Sequence, residues 1–162
     1  MLASIKNIHF IGIGGIGMSG IAELLHNQDF NITGSDLSKS SNVERLEKLG
    51  IQISIGHSTD NINELDLVVY SDAIPKDNCE LIETRKQNIL CYSRAKMISQ
   101  IAKLKSSTVA ISGTHGKTTT TSIVGSILKD SDLDPTIAVG GVVKSINSNS
   151  VLGEGDIFVV EA

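Results

Sequence analysis

The sequence predicts an α/β protein: a parallel sheet covered by helices on both faces, followed by the start of a second α/β unit. Three observations carry that expectation. Buried-type apolar runs alternate with segments of helical period along the 162 residues. Two glycine-rich stretches, IGIGGIGMSG (11–20) and ISGTHGKTTTT (111–121), each follow such a run and open a helical segment. A short polar stretch, KLKSS (103–107), separates the two halves. Strands alternating with helices imply parallel pairing with right-handed crossovers.

In order along the chain, IKNIHFIGI (5–13) reads as a buried strand. MSGIAELLHN (18–27) is a helix with Ile21, Leu24 and Leu25 on one face. NITGS (31–35) is a second strand. NVERLEKLG (42–50) is a helix with Val43, Leu46 and Leu49 at helical spacing and Gly50 as its stop. IQISI (51–55) and LDLVVYS (65–71) are the third and fourth strands, CELIETRKQ (79–87) a helix, NILCYS (88–93) the fifth strand and RAKMISQIAKL (94–104) a closing helix. Beyond the polar stretch, TVAIS (108–112) is a strand and KTTTTSIVGSILKD (117–130) a helix. TIAVGG (136–141) and DIFVVEA (156–162) are two more strands, and KSINSNS (144–150) is the most loop-like segment. Residues 1–103 thus read as a Rossmann-like parallel-sheet domain, and 104–162 as the start of a P-loop-type α/β domain. The last strand is of a type that needs flanking strands and helices, so the chain is expected to be part of something longer.

Composition narrows the function. A net charge of −4 does not favour DNA, RNA or an anionic membrane surface. With 3% aromatic residues and no Trp, base-stacking platforms are not expected. Cys79 and Cys91 lack zinc spacing and form no CxxC, so they read as buried or idle thiols in a reducing compartment. No charged-then-apolar leader opens the chain and no apolar run reaches membrane-spanning length. The expectation is a cytoplasmic protein with no nucleic-acid or membrane partner, its oligomeric state not fixed.

The first glycine stretch holds Gly12, Gly14 and Gly17 as G-x-G-x-x-G between a strand and a helix, with Ile13, Gly15 and Ile16 between them. Glycines there permit a tight turn and let backbone N–H groups approach a diphosphate at the helix N-terminus, or serve only tight strand–helix packing. Asp36 ends the second strand at the spacing of an acid that meets a ribose hydroxyl, or it is an ordinary turn or capping residue. GHSTDN (56–61) and YSDAIP (70–75) follow the third and fourth strands, at the edge where open α/β sheets bind ligands. His57 there can reach a phosphate or a ribose, or is a surface-loop histidine. Ser71 can offer its hydroxyl to the base or phosphates, or is a plain turn residue. His9, inside a strand, and His26, at a helix end, read as structural.

The second stretch, Gly113, Thr114, His115, Gly116, Lys117, Thr118 and Thr119, ends like a P-loop, although Ile111 stands where the usual first glycine would be. Backbone amides there can surround phosphates, and Lys117 can place its charge at the β and γ groups, which makes it the candidate catalytic residue. The Thr118 hydroxyl can ligate Mg²⁺, and Thr119 can donate to an α or β phosphate. His115 is a contact or a bystander; Thr120 and Thr121 read as helix packing residues. Glu161 ends the DIFVVEA strand, where a carboxylate can ligate Mg²⁺ opposite Thr118, or it is a frayed, solvated terminal residue.

At these residues the chain resembles the Mur ligase family, which builds the peptide stem of bacterial peptidoglycan. GTHGKTTT (113–120) resembles its ATP loop, and HFIGIGGIGMSGIA (9–22) is most similar to the member that adds L-alanine. GSD (34–36), GH (56–57), YSDAI (70–74) and VVEA (159–162) extend the match along the chain; Asp72 departs from it, since the family more often has a second serine there. The resemblance implies that the first cradle holds the UDP of UDP-N-acetylmuramate and the second holds ATP with Mg²⁺. It implies an ATP-dependent ligase: ATP converts the muramyl carboxylate to an acyl phosphate, and the amine of L-alanine then displaces phosphate. The family has three domains, of which the match covers the first and the beginning of the second, so this fragment is expected to be inactive alone. On the residues themselves, Gly12, Gly14, Gly17 and Asp36 also fit an NAD-dependent oxidoreductase, and a non-catalytic nucleotide-binding module is a further alternative. Hydride transfer has no use for a γ-phosphate site, which sets the second cradle against the oxidoreductase.

Overall fold

The computed structural model describes residues 5–103, 105–143, 148–151 and 153–161. The chain divides into two compact units, Met1–Ile98 and Ser99–Ala162.

The first unit is built on a five-stranded sheet of β1 (Asn7–Ile11), β2 (Asn31–Asp36), β3 (Gln52–Ile55), β4 (Leu67–Tyr70) and β5 (Leu90–Ser93). All pairs are parallel and the spatial order is β3-β2-β1-β4-β5. The chain runs outward from β1 through α1 (Ile16–His26) and α2 (Ser41–Lys48), then returns to β4 on the other side and continues through α3 (Cys79–Lys86) to β5 and α4 (Arg94–Ala102). The direction reverses between β1 and β4, which is where sheets of this kind open a crevice. Ile11 pairs with both Ser35 and Tyr70, so β1, β2 and β4 end level. The glycine loop, Asp36 and Ser71 therefore leave the sheet at one edge.

The central strand β1 buries Ile8, His9, Phe10 and Ile11 on both faces, the pattern of a strand covered on two sides. Ile11 forms a cluster with Ile62, Val68 and Leu81. The spacing in α1 is as expected: Met18, Ile21, Leu24 and Leu25 are buried. In α2 only Val43 and Leu46 are; Leu49 lies one residue past the last helical turn and is 40% exposed. Gly50 follows at φ 92°, the left-handed stop its position suggested. A 3₁₀ turn, Thr59–Asn61, was not evident from periodicity.

The second unit has a four-stranded sheet of β6 (Ser107–Ile111), β7 (Thr136–Val143), β8 (Ser148–Val151) and β9 (Ile157–Glu161), in the order β6-β9-β7-β8. The β6, β9 and β7 strands are parallel, and β8 runs antiparallel to β7. Helix α5 (Lys117–Asp130) has the bounds read from the sequence. Ile137, Val139 and Val159 form its core, with Val124 and Leu128 of α5 packed on it. The KSINSNS segment differs from its loop assignment: Ser148 to Ser150 belong to β8, while 144–147 lie outside the described residues. An edge strand is held by backbone pairing and needs no apolar pattern.

Leu81 is 2% exposed and joins α3 to β1 and β4 through Ile11 and Val68. Truncating it leaves a cavity in that cluster. Leu81→Ala is expected to lower the unfolding free energy by about 2–5 kcal/mol, measured by denaturant titration.

Candidate functional site

The edge of the first sheet holds a cavity of about 560 Å³, lined by Gly12, Gly14, Gly15, Asp36, His57 and Ser71 among others. Six of the nine residues expected at a sugar-nucleotide site thus meet there. Ile13, Ile16 and Gly17 do not line it. Ile13 is fully buried and packs over Gly34.

The glycine loop is not an open nest along its whole length. The amides of Gly12 and Ile13 both donate to the Ser35 carbonyl, at 2.8 and 3.0 Å. Gly14 N–H donates to Asp36 Oδ2 at 2.8 Å, and Gly15 N–H to the Gly12 carbonyl at 3.2 Å. Gly14 is required by close approach: a Cβ would stand 2.8 to 2.9 Å from Val43, Asp36 and Ser40. Among the described residues, the amides of Ile16 and Gly17 at the start of α1 have no partner. The Arg94 side chain lies against Gly17, and no described hydrogen bond or ion pair engages its guanidinium. Two unpaired N–H groups at a helix N-terminus beside a cation suit an anion. The sequence reading spread that role over 12–17 and missed Arg94, whose position in the chain carries no local signal.

Asp36, expected to meet a ribose, braces the loop: Oδ2 accepts from Gly14 and Oδ1 from Ser38 N–H at 3.3 Å. A carboxylate has about four acceptor positions, so a ligand hydroxyl can still be accepted.

Below the cavity sits a group that the sequence reading also missed. Glu80, in the first turn of α3, is fully buried. Its Oε1 accepts from Asn61 Nδ2 at 2.6 Å and Ser58 N–H at 3.3 Å. Its Oε2 accepts from Ser35 Oγ at 2.6 Å and meets His57 Nδ1 at 3.0 Å. His57 Nδ1 is also 3.0 Å from Ser35 Oγ. Asn78 caps the helix start by accepting from Glu80 and Leu81 N–H. In the sequence, Glu80 is one charge among several in CELIETRK, and nothing local marks it.

His9 and His26 are structural, as expected. His26 Nε2 donates to the Leu49 carbonyl at 3.1 Å, tying α1 to the end of α2. His9 is 1% exposed with Nδ1 at 2.8 Å from Thr33 Oγ1; its Nε2 has no hydrogen bond and lies 3.9 Å from Glu80 Oε1. Burial lowers its pKa from 6.5 to about 4, with Glu80 pulling it up and His57 pushing it down. Both cysteines are half-buried free thiols, and burial raises that of Cys91.

The glycine loop of the second unit contrasts with the first. Thr120 N–H donates to the Gly116 carbonyl, but no described acceptor meets the amides from Thr114 through Thr119. Gly116 holds φ 75°, the left-handed conformation that turns the loop into α5. Lys117 Nζ donates to the Gly113 carbonyl at 2.6 Å, across the loop. β9 lies beside β6 with Ile111 paired to Glu161. That register brings Thr118 Oγ1 within 3.0 Å of Glu161 Oε2. Thr121 is buried and bonds the Lys117 carbonyl, while His115 is exposed.

Among known proteins, the family model described as Mur ligase family, catalytic domain, matches residues 7–106. A UDP-N-acetylmuramate–L-alanine ligase of Rhodopseudomonas palustris is 54% identical over 155 residues, 96% of this chain and 33% of that protein. The chain spans about a third of the length of the curated relatives it matches. The structure of a UDP-N-acetylmuramate–alanine ligase from Thermotoga maritima is similar with a TM-score of 0.86 at 34% identity, over 97% of this chain and 37% of that one. A UDP-N-acetylmuramate:L-alanyl-γ-D-glutamyl-meso-diaminopimelate ligase from Neisseria meningitides gives 0.85 at 26% identity, over 98% and 53%. No helix among the described residues is long and apolar enough to cross a membrane.

The depressed pKa of His9 makes stability depend on pH. Between about 4 and 6.5 the unfolded chain holds the His9 proton and the folded chain does not, so stability falls as pH drops through that window. From pH 7 to pH 5 the loss from this residue is about 2 kcal/mol. Denaturant midpoints at the two pH values measure it, and His9→Asn is expected to flatten the dependence.

Proposed function

The chain belongs to the Mur ligase family, and from that premise we propose that it is the nucleotide-handling part of an ATP-dependent ligase joining L-alanine to UDP-N-acetylmuramate. The observation that carries the reading is the pairing of two phosphate loops of different kinds in one chain. One is braced against a crevice of a size for a nucleoside and presents two free amides and Arg94. The other is an open run of amides with Lys117, Thr118 and Glu161 around it. A dinucleotide-dependent oxidoreductase has a use for the first and none for the second.

In this reading the crevice takes the uridine, with Asp36, His57 and Ser71 facing it, and the diphosphate lies at Ile16, Gly17 and Arg94. Relatives acting on different amines share UDP-N-acetylmuramate in their names, which supports the sugar nucleotide. The choice of L-alanine rests on the higher identity to alanine ligases.

The loop at 113–119 takes the phosphates of ATP. A muramyl carboxylate oxygen attacks the γ-phosphorus, the bond to the β-phosphate oxygen breaks, and ADP leaves. The amine of L-alanine then attacks the acyl carbon, loses a proton and expels phosphate. Lys117 exchanges its bond to the Gly113 carbonyl for the transferring phosphoryl group and offsets the charge that develops there. The Thr118 hydroxyl and Glu161 carboxylate are adjacent hard oxygen donors and fit Mg²⁺. Among the described residues no group of three or more His, Cys, Asp or Glu could hold a metal. When bound, the ion would neutralise charge on the β and γ phosphates. A cytoplasmic location fits this reading, since its substrates are a nucleotide precursor and ATP.

Two measurements test the reading. Calorimetry is expected to show UDP-N-acetylmuramate binding and no NAD binding; the opposite result returns the first unit to the oxidoreductase class. Lys117→Ala is expected to weaken ATP–Mg²⁺ binding by about ten-fold or more, and an unchanged dissociation constant would mean that the loop is not the phosphate site.

A further inference from the structure

The mechanism above leaves Glu80 unused, although it is a fully buried carboxylate directly beneath the crevice. Burying a carboxylate is costly unless donors surround it. Here donors reach it from β2 (Ser35), from the 3₁₀ turn (Asn61) and from the loop before that turn (Ser58 and His57). Stability alone could be served by an apolar side chain of similar volume at that position. The arrangement has one consequence that an apolar side chain could not supply: it determines where His57 carries its ring proton.

The donors assign that proton. The Ser35 hydroxyl has one hydrogen, directed to Glu80 Oε2 at 2.6 Å, so Ser35 Oγ presents lone pairs to His57. Both oxygens at 3.0 Å from His57 Nδ1, Ser35 Oγ and Glu80 Oε2, are therefore acceptors. Nδ1 must be the protonated nitrogen, and in the neutral ring Nε2 keeps its lone pair. Nε2 has no hydrogen-bond partner among the described residues, and the ring lines the crevice. His9, the other imidazole near Glu80, is held neutral by burial and does not compete for the carboxylate. Asn61 is fixed in turn: its Oδ1 accepts from Ser54 Oγ at 2.9 Å, which aims Nδ2 at Glu80 Oε1.

We propose that Glu80 is a positioning residue of the nucleotide crevice: it holds the His57 proton on Nδ1, so that Nε2 meets the ligand as a hydrogen-bond acceptor. The assignment rests on the nucleotide reading of the crevice and deepens it. An acceptor at that position selects a donor on the ligand, a ribose hydroxyl or an imide N–H of the base. It disfavours a phosphate oxygen, and the diphosphate is left to the free amides and Arg94. An enzyme site built to accept such a proton discriminates strongly against a ligand that lacks it.

The test uses the ring nitrogens themselves. The chain has four histidines, so the His57 signals in a long-range ¹⁵N–¹H correlation spectrum are assigned by their loss in His57→Asn. The wild-type chain without ligand is expected to show neutral His57 as the Nδ1–H tautomer. Glu80→Gln keeps the shape but not the acceptor: with its amide oxygen held by Asn61 and Ser58, the NH₂ group faces His57 Nδ1. The ring proton is then expected on Nε2, and UDP-N-acetylmuramate affinity per folded molecule should fall about ten- to hundred-fold. A purely structural Glu80 would lower the unfolding midpoint of the variant while leaving tautomer and affinity as in wild type, and that result overturns the proposal. An Nε2–H tautomer in the wild type overturns it as well, whether or not the variant folds. A wild-type chain with the Nδ1–H tautomer that binds no UDP-sugar defeats the nucleotide reading of the crevice and leaves the Glu80–His57 arrangement standing.

Discussion

A carboxylate buried without solvent contact constrains everything near it, and Glu80 is that constraint in the first unit. Its two oxygens take the Ser35 hydroxyl, the His57 ring, the Asn61 amide and the Ser58 N–H. Leaving any one donor unmet in that position would cost about 1–3 kcal/mol, so the segments that bear them are held together. Those segments are the end of β2, the loop after β3 and the first turn of α3. The same Ser35 that bonds Glu80 through its side chain accepts the amides of Gly12 and Ile13 on its carbonyl. The geometry of the glycine loop is therefore linked, through one residue of β2, to a carboxylate on a helix about 65 residues further along the chain.

The two glycine loops illustrate different uses of the same residue. In the first, close packing is the reason for Gly14, which meets Val43, Asp36 and Ser40, Gly12 takes a left-handed turn at φ 79°, and the loop's amides are largely consumed in bracing it. Only the start of α1 remains free to meet an anion. In the second, Gly116 likewise takes a left-handed turn, but six successive amides have no partner among the described residues. A braced loop suits a ligand that is gripped and oriented. An open run of donors with a lysine laid across it suits a polyphosphate whose charge shifts during transfer.

Much of the candidate site was legible in the sequence because its signals are local. Strand–glycine–helix order places the loops, and the level ends of β1, β2 and β4 bring Asp36 and Ser71 to one crevice with His57. Thr118 and Glu161, 43 residues apart, could be connected because a strand end beside the loop-bearing strand is a recurrent position for a carboxylate. Glu80 and Arg94 were not legible. Each looks like an ordinary charge at the start of a surface helix, and nothing in its neighbours in sequence says that one is sealed from water and the other laid across Gly17.

The sequence by itself determined the alternation of strands and helices, the place of both phosphate loops and the limits of α5. These depend on side-chain period, glycine conformation and capping, which act over a few residues. It also pointed to the family through those same motifs. Tertiary structure alone decided which loop amides stay free, since Ser35 and Asp36 lie more than twenty residues from the groups they occupy. It decided that Asp36 braces the loop, that Ser148–Val151 joins a sheet by backbone pairing, and that His57 Nδ1 turns to Ser35 and Glu80. Each of those outcomes is a choice among hydrogen-bond partners. Partners are selected by the three-dimensional meeting of distant segments, which no local pattern records.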